Sequence, residues 1–238
     1  MLKLSNSQLK LNRRVFQWCL RNAQIKFKTN YLSESAAWCK IAAEIAGFGC
    51  GFLSSPELEE ILNQISQATF SESTFQFFNK PKRFLHVMSC TYGARGHTAL
   101  VRRWIERRPS NQVHSVCVLH EIGSNEKLLK AQTFASGGQF LDFTNLPTCP
   151  IQKADALRNL AIQTADIVIL HHHMWDVVPV LAFGTKDVPP CLVLNHADHL
   201  FWVGTSICDR ILELRDEGAA LRETLIKQLM PEAASLIL

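Results

Sequence analysis

The residues of this chain best suited to chemistry are its nine histidines, and their placement is uneven. His97 follows the loop SCTYGARGHT, His120 closes the run HSVCVL, and His171, His172 and His173 are consecutive. His196 and His199 enclose Ala197 and Asp198 in the run NHADH. An imidazole donates, accepts and titrates near neutral pH, so such a group suits a polar substrate cleft, as a general base or a hydrogen-bond donor. Gly93 and Gly96, just before His97, either let backbone N–H groups approach a phosphate at a helix start or simply form a turn. The loop is neither G-x-G-x-x-G nor a P-loop, which disfavours a dinucleotide-dependent dehydrogenase. No G-x-S-x-G occurs, so an α/β-hydrolase is excluded.

A metal is the competing reading of the histidines. If a strand runs through the triplet, His171 and His173 share one side and His172 the other. His196 and Asp198 share a side in the same way, with His199 opposed. His171, His173, His196 and Asp198 could then hold zinc or iron. None of the local spacings is a metal signature, and the sequence is assigned no metal site. Trp175, Phe201 and Trp202 lie close to these residues, either to stack on a sugar or base or to pack.

These residues need elements to position them. From Phe84 onward, short apolar runs alternate with helical patterns. Strands are expected at 84–89, 114–119, 138–143, 166–170 and 191–195, and a short one near 207–212. Helices are expected at 97–108, 125–135, 153–163, 177–183 and about 216–229. Such alternation specifies a parallel sheet covered on both faces, an α/β fold of Rossmann-like type. In an open α/β sheet, ligands bind outside the carboxyl ends of the strands. Seven of the nine histidines fall on that edge; His86 and His114 do not.

Residues 1–80 read as a small helical segment before this domain. Ser33 or Ser35 is the expected cap of a helix through SAAWCKIAAEIAGF. Ser54 or Ser55 caps the next helix, with Pro56 in its first turn and Leu58, Ile61, Leu62 and Ile65 as its buried stripe. The domain is expected over 81–230.

The chain has 238 residues, 47% hydrophobic and 19% charged, which excludes disorder. No apolar run reaches the ~18 residues of a membrane span, and the start lacks the apolar core of a secretory signal. Eight scattered cysteines form no C-x-x-C pair, as expected of core-filling thiols in a reducing cytoplasm. The net charge of +4 is too mild for a dedicated nucleic-acid binder, and no nucleic-acid partner is expected. Residues 1–33 nonetheless hold seven Lys and Arg and no acid. They read either as a solvated terminus or as a helix making peripheral contact with an anionic membrane, with Leu11, Val15, Trp18 and Cys19 on one stripe. An organelle transit peptide is a further possibility.

Three segments carry a resemblance. They are ADIVILHHHMWDVVPVLAF at 165–183, PPCLVLNHADHLFWVGTSICDRILELRDEG at 189–218, and HVMSCTYGARGHTALVRRWI at 86–105. They resemble the N-terminal domain of bacterial glycosyltransferases built from two Rossmann-like domains, the GT-B fold. The likeness covers roughly 36–230, and NHADH with Phe201 and Trp202 is its most specific part. It implies transfer of a sugar from a nucleotide-sugar donor to a glycan or lipid-linked acceptor, with the nucleotide sugar as co-substrate and no other cofactor. The N-terminal domain of such enzymes chiefly binds the acceptor.

By motif position, His97, Asp198 and His199 are the expected catalytic residues. Gly93, Gly96, His171, His173, Asp176 and His196 are the expected substrate-binding residues; Asp176 either lines the cleft or caps the helix at 177–183. Relatives often carry two adjacent glycines before the histidine, and Arg95 stands in place of one. The family pattern also continues into a donor-binding domain. Residues 231–238 read as its linker, and the chain is expected to be inactive alone. A non-catalytic Rossmann-like binding module and a histidine-rich metal hydrolase are the alternatives.

Overall fold

Apolar runs bounded by turn residues form the strands, because only a sheet covered on both faces can bury them. The computed structural model describes residues 5–71, 75–92, 96–123, 126–195 and 200–213. The strands are β1 (Arg83–Thr91), β2 (Val113–Ile122), β3 (Phe140–Asp142), β4 (Ile167–His171), β5 (Cys191–Asn195) and β6 (Arg210–Glu213). They form one all-parallel sheet in the order β3-β2-β1-β4-β5-β6. This is a Rossmann-like α/β arrangement, as the alternation of runs requires. The helix expected near 216–229 and the segment 231–238 lie outside the described residues, as do Gly93, His196, Asp198 and His199.

The helices are α1 (Asn6–Lys28), α2 (Leu32–Gly49), α3 (Pro56–Thr69), α4 (His97–Glu106), α5 (Glu126–Ala135), α6 (Pro150–Thr164) and α7 (Val178–Phe183). Side chains alternate across the sheet. Met88, Val116 and Val118 point to one face, where Val101 and Ile105 of α4 and Leu129 of α5 cover them. Leu85, Val87, Cys117, Val168 and Leu170 point to the other, beneath α6 and α7. That second core continues without a break into Phe16, Leu20, Leu62 and Ile65 of α1 and α3. The helical segment and the sheet therefore bury their apolar surfaces against each other.

Polar contacts fix this arrangement. Glu59 on α3 accepts hydrogen bonds from the backbone N–H groups of Gly204, Thr205 and Ser206 and from the Ser206 hydroxyl. Ser66 donates to Leu181 O at 2.7 Å. Ser55 caps α3 as expected, accepting from Leu58 N at 3.3 Å. The capping expectation for α2 fails: it starts on Tyr31 without a side-chain cap. Ser35 lies inside the helix and donates to Ala23 O of α1 at 2.7 Å, because burial there leaves its hydroxyl no water to bond. The expected α1 stripe also divides. Cys19 is buried with Phe16, Leu20 and Ala23, while Leu11, Val15 and Trp18 face solvent.

One irregularity matters for the site. Met88 pairs with Val118, but Cys90 pairs with Glu121. Two residues of β2, Leu119 and His120, therefore face the single Ser89 of β1. Such a bulge twists the strand and re-aims a side chain. Gly123 follows, with its N–H on Thr91 O at 3.1 Å and on Thr91 Oγ1 at 2.9 Å. A Cβ there would lie 2.4 Å from Thr91 O, so only glycine permits this approach.

Candidate functional site

The chain runs outward from β1 through β2 to β3, then crosses back to β4 on the other side of β1, so the strand order reverses between β1 and β4. The crevice at such a switch point, beyond the carboxyl ends of the strands, is where α/β sheets bind ligands. In this crevice Asp176, from the segment after β4, meets residues of β1 and β2. Its Oδ2 accepts from Ser89 Oγ at 2.5 Å and from His120 Nε2 at 2.9 Å. Its Oδ1 accepts from Val178 N at 3.1 Å, at the start of α7. Asp176 thus lines the cavity and bonds the first turn of the helix, but it is not the cap: the N-cap residue of α7 is Val177, which makes no side-chain cap bond. Burial pushes its pKa up, but the hydrogen bond and charge of His120 and the Ser89 hydroxyl outweigh it and hold it at about 2.

The bulge explains His120. Leu119 points beneath α6, and strict alternation would send His120 to the α4 face. The extra residue turns it toward Asp176 instead. Its side chain is 34% exposed while that of Asp176 is 4% exposed, so the imidazole joins a buried carboxylate to the cavity. With Nε2–H donated to Asp176, the proton-accepting nitrogen of neutral His120 is Nδ1.

Ser89 is buried between both partners: it donates to Asp176 and accepts from His173 N at 2.8 Å. The His173 ring meets Tyr92 Oη at 2.7 Å through Nε2 and lies 5.2 Å from the Trp175 ring. His97, the first residue of α4, donates from Nε2 to Cys90 O at 3.2 Å. Its ring stands edge-on to Tyr92 at 5.1 Å. Gly96 before it has φ 70° and ψ −149°, a conformation open to glycine and strained for other residues.

A cavity of about 270 Å³ opens here, lined by His120, Asp176, His173 and Trp175 together with Lys40 and Lys153. That is just below the usual range for small-molecule pockets, enough for part of a ligand. Lys153 of α6 donates from Nζ to Leu119 O at 2.6 Å, and burial lowers its pKa. Lys40 belongs to α2, so the helical segment supplies part of the wall. Gly47 lets α2 come this close: a Cβ there would lie 2.9 Å from Trp175 Cε3.

The expected site residues separate accordingly. Asp176 and His173 line the cavity, and His97 stands beside it against Tyr92. His171 does not line it. The strand ends at His171, so the triplet does not alternate, and the His171 ring is buried on the α4 face near Trp104. There His86 Nδ1 meets His171 Nε2 at 3.0 Å, and His86 Nε2 meets His114 Nδ1 at 2.8 Å. His114 Nε2 reaches Gln112 Oε1 at 3.3 Å. The side-chain oxygen accepts, so N–H groups point in one direction along the three rings, from His171 to Gln112. Burial lowers the pKa of His86 to about 3, and that of His114 to about 4. His172 is also buried, donating to Val203 O at 3.0 Å. Among the described residues, no group of three or more His, Cys, Asp or Glu is placed to hold a metal ion.

Sequence reasoning put His120 on the ligand edge but left it out of the site. Its position directly after a strand was the available signal. Ser89, Lys153 and Lys40 carried none, because a serine in an apolar strand and lysines on helices are ordinary. No family model matches the sequence, and a search of curated proteins finds no match either.

Proposed function

We propose that this chain is the acceptor-binding half of a GT-B-type glycosyltransferase, with His120 as the general base. The observation that carries this reading is the pair formed by His120 and the buried Asp176 at the mouth of a cavity on the switch-point edge. The likeness of 86–105, 165–183 and 189–218 to such enzymes supplies the reaction class. In this reading, His120 Nδ1 takes the proton from an acceptor hydroxyl as its oxygen attacks the sugar's anomeric carbon. The bond from that carbon to the nucleotide phosphate breaks, and the electron pair leaves with the nucleoside diphosphate. Asp176 keeps Nε2 protonated and stabilises the imidazolium that forms. Trp175 offers the apolar face of a sugar a stacking surface, and Lys40 and Lys153 offer positive charge to an acceptor phosphate. The nucleotide sugar is held by a second Rossmann-like unit facing this edge.

Saccharide titration of histidine-labelled protein by NMR tests the acceptor site. The His120 and His173 ring signals should shift saturably, those of His86 and His114 should not, and His120→Ala should weaken binding. A panel of glycan and lipid-linked saccharides that moves neither cavity histidine would overturn the reading.

A further inference from the structure

The outer face of α1 does not belong to the core and has a composition of its own. Leu11, Trp18 and Ile25 are 59%, 49% and 58% exposed, and Val15 stands between them. At 100° per residue these four form one row along the helix. On one flank of this row stand Lys10, Arg14, Arg21 and Lys28, which fall within about 40° of one another around the helix and are all exposed. An exposed apolar row therefore runs beside an exposed basic row, with the buried side of α1 on the opposite flank. The helix contains no acidic residue. The acids of α2 are already paired, Glu34 with Lys26 at 2.5 Å and Glu44 with Lys40 at 4.0 Å. Trp18 also packs edge-on against Trp38 of α2 at 4.9 Å, extending the aromatic surface onto the neighbouring helix.

We infer that α1 docks this protein on an anionic lipid bilayer, its apolar row entering the acyl boundary and its basic row on the headgroups. Large exposed apolar side chains beside an unbalanced row of cations are the signature of a helix lying in the membrane interface, and tryptophan favours that zone. No helix among the described residues is long and apolar enough to cross the bilayer, so α1 lies on the surface. A second copy of the chain fits less well. Antiparallel two-fold pairing through this row would bring the two basic rows to the same side, with Arg14 of one copy near Arg21 of the other. A nucleic acid would use the cations and leave Leu11 and Ile25 in water. The inference does not depend on the sugar-transfer reading.

Co-sedimentation of the intact chain with lipid vesicles is the test. Vesicles of equimolar phosphatidylglycerol and phosphatidylcholine should carry the protein down at low salt and release it at high salt, and pure phosphatidylcholine vesicles should not bind. Each basic residue contributes about a fivefold factor at such a surface, so R14Q/R21Q should bind ~25-fold more weakly. L11S/I25S should lose binding to a similar or greater extent. All four positions face solvent, so both variants should keep the wild-type thermal midpoint. Equal binding to neutral vesicles, or no effect of either variant, would overturn the inference. So would a concentration-dependent dimer by light scattering that L11S/I25S abolishes, or binding to an RNA oligonucleotide without binding to vesicles.

Discussion

His120 Nε2 lies 2.9 Å from Oδ2 of Asp176, and that oxygen is also held by Ser89 at 2.5 Å. A buried carboxylate that takes both donors on one oxygen fixes the position of the imidazole and its tautomer together. The arrangement joins three strands' worth of sequence at one point and faces a cavity. It differs from a Ser-His-Asp triad, because the serine hydroxyl bonds the carboxylate and not the imidazole.

In any preparation that transfers sugar, His120→Gln should lower kcat by roughly 10²–10⁴, the usual contribution of a general base, with little change in KM. Asp176→Asn should also lower kcat, because its single amide oxygen cannot accept from both Val178 N and His120 Nε2, and an NH2 turned toward His120 selects the wrong tautomer. Steady-state kinetics of both variants check this; an unchanged kcat in His120→Gln removes His120 from the base role.

Asp176 also makes stability depend on acid. Its folded pKa of about 2 lies below the ordinary carboxylate value, so the unfolded chain binds its proton first as pH falls. The contribution, about 2 kcal/mol, is complete above pH ~4 and lost between roughly pH 4 and pH 2. Urea unfolding of wild type and Asp176→Asn across that range should show the wild type losing its advantage.

The buried rings act at higher pH. His86 and His114 are neutral in the fold, with pKa values near 3 and 4 against an ordinary value near 6.5. The unfolded chain takes up their protons first, so stability is complete above pH ~6.5 and declines as pH falls toward 4. His86→Gln removes one titrating ring and should flatten this slope in pH-dependent urea unfolding, whatever it does to stability at neutral pH.

Gly47→Ala should act on the cavity through Trp175. Its Cβ would press on Trp175 at 2.9 Å. The expected cost is about 1–3 kcal/mol, with displacement of the indole and weaker saccharide binding. The thermal midpoint and Trp175 indole N–H chemical shift measure the two effects separately.

Glu59→Ala should cost about 2–4 kcal/mol, because it leaves the buried Gly204 N–H without its acceptor and loosens the bonds to Thr205 and Ser206. Glu59→Gln should recover part of this, since its side-chain oxygen still accepts. Thermal denaturation of the two variants tests the ranking.

Much of the fold is legible in local pattern. The apolar runs at 84–89, 114–119, 166–170 and 191–195 each become a strand, since each is short, apolar and bounded by turn residues. Ser55 and Pro56 mark the start of α3 because a cap acts over four residues. Once the strands are placed, the ligand edge follows from topology, and with it His120, His173 and Asp176.

Local pattern could not supply the pairing of distant residues. Ser89, His120 and Asp176 meet because an extra residue in β2 turns His120 off strict alternation, and a bulge is visible only in the register between two strands. His171 was expected in the cleft, yet its ring joins His86 from the neighbouring strand β1 and, through it, His114 from β2 beyond, once the sheet forms. The periodicity of α1 is compatible with either of two apolar faces. Packing against α2 buries Phe16, Cys19, Leu20 and Ala23 and leaves Leu11, Trp18 and Ile25 in solvent. Sequence alone determines which segments can be helix or strand, because that depends on neighbours within a few residues. Tertiary structure decides which side chains share a site, because that depends on register and on which face finds a partner.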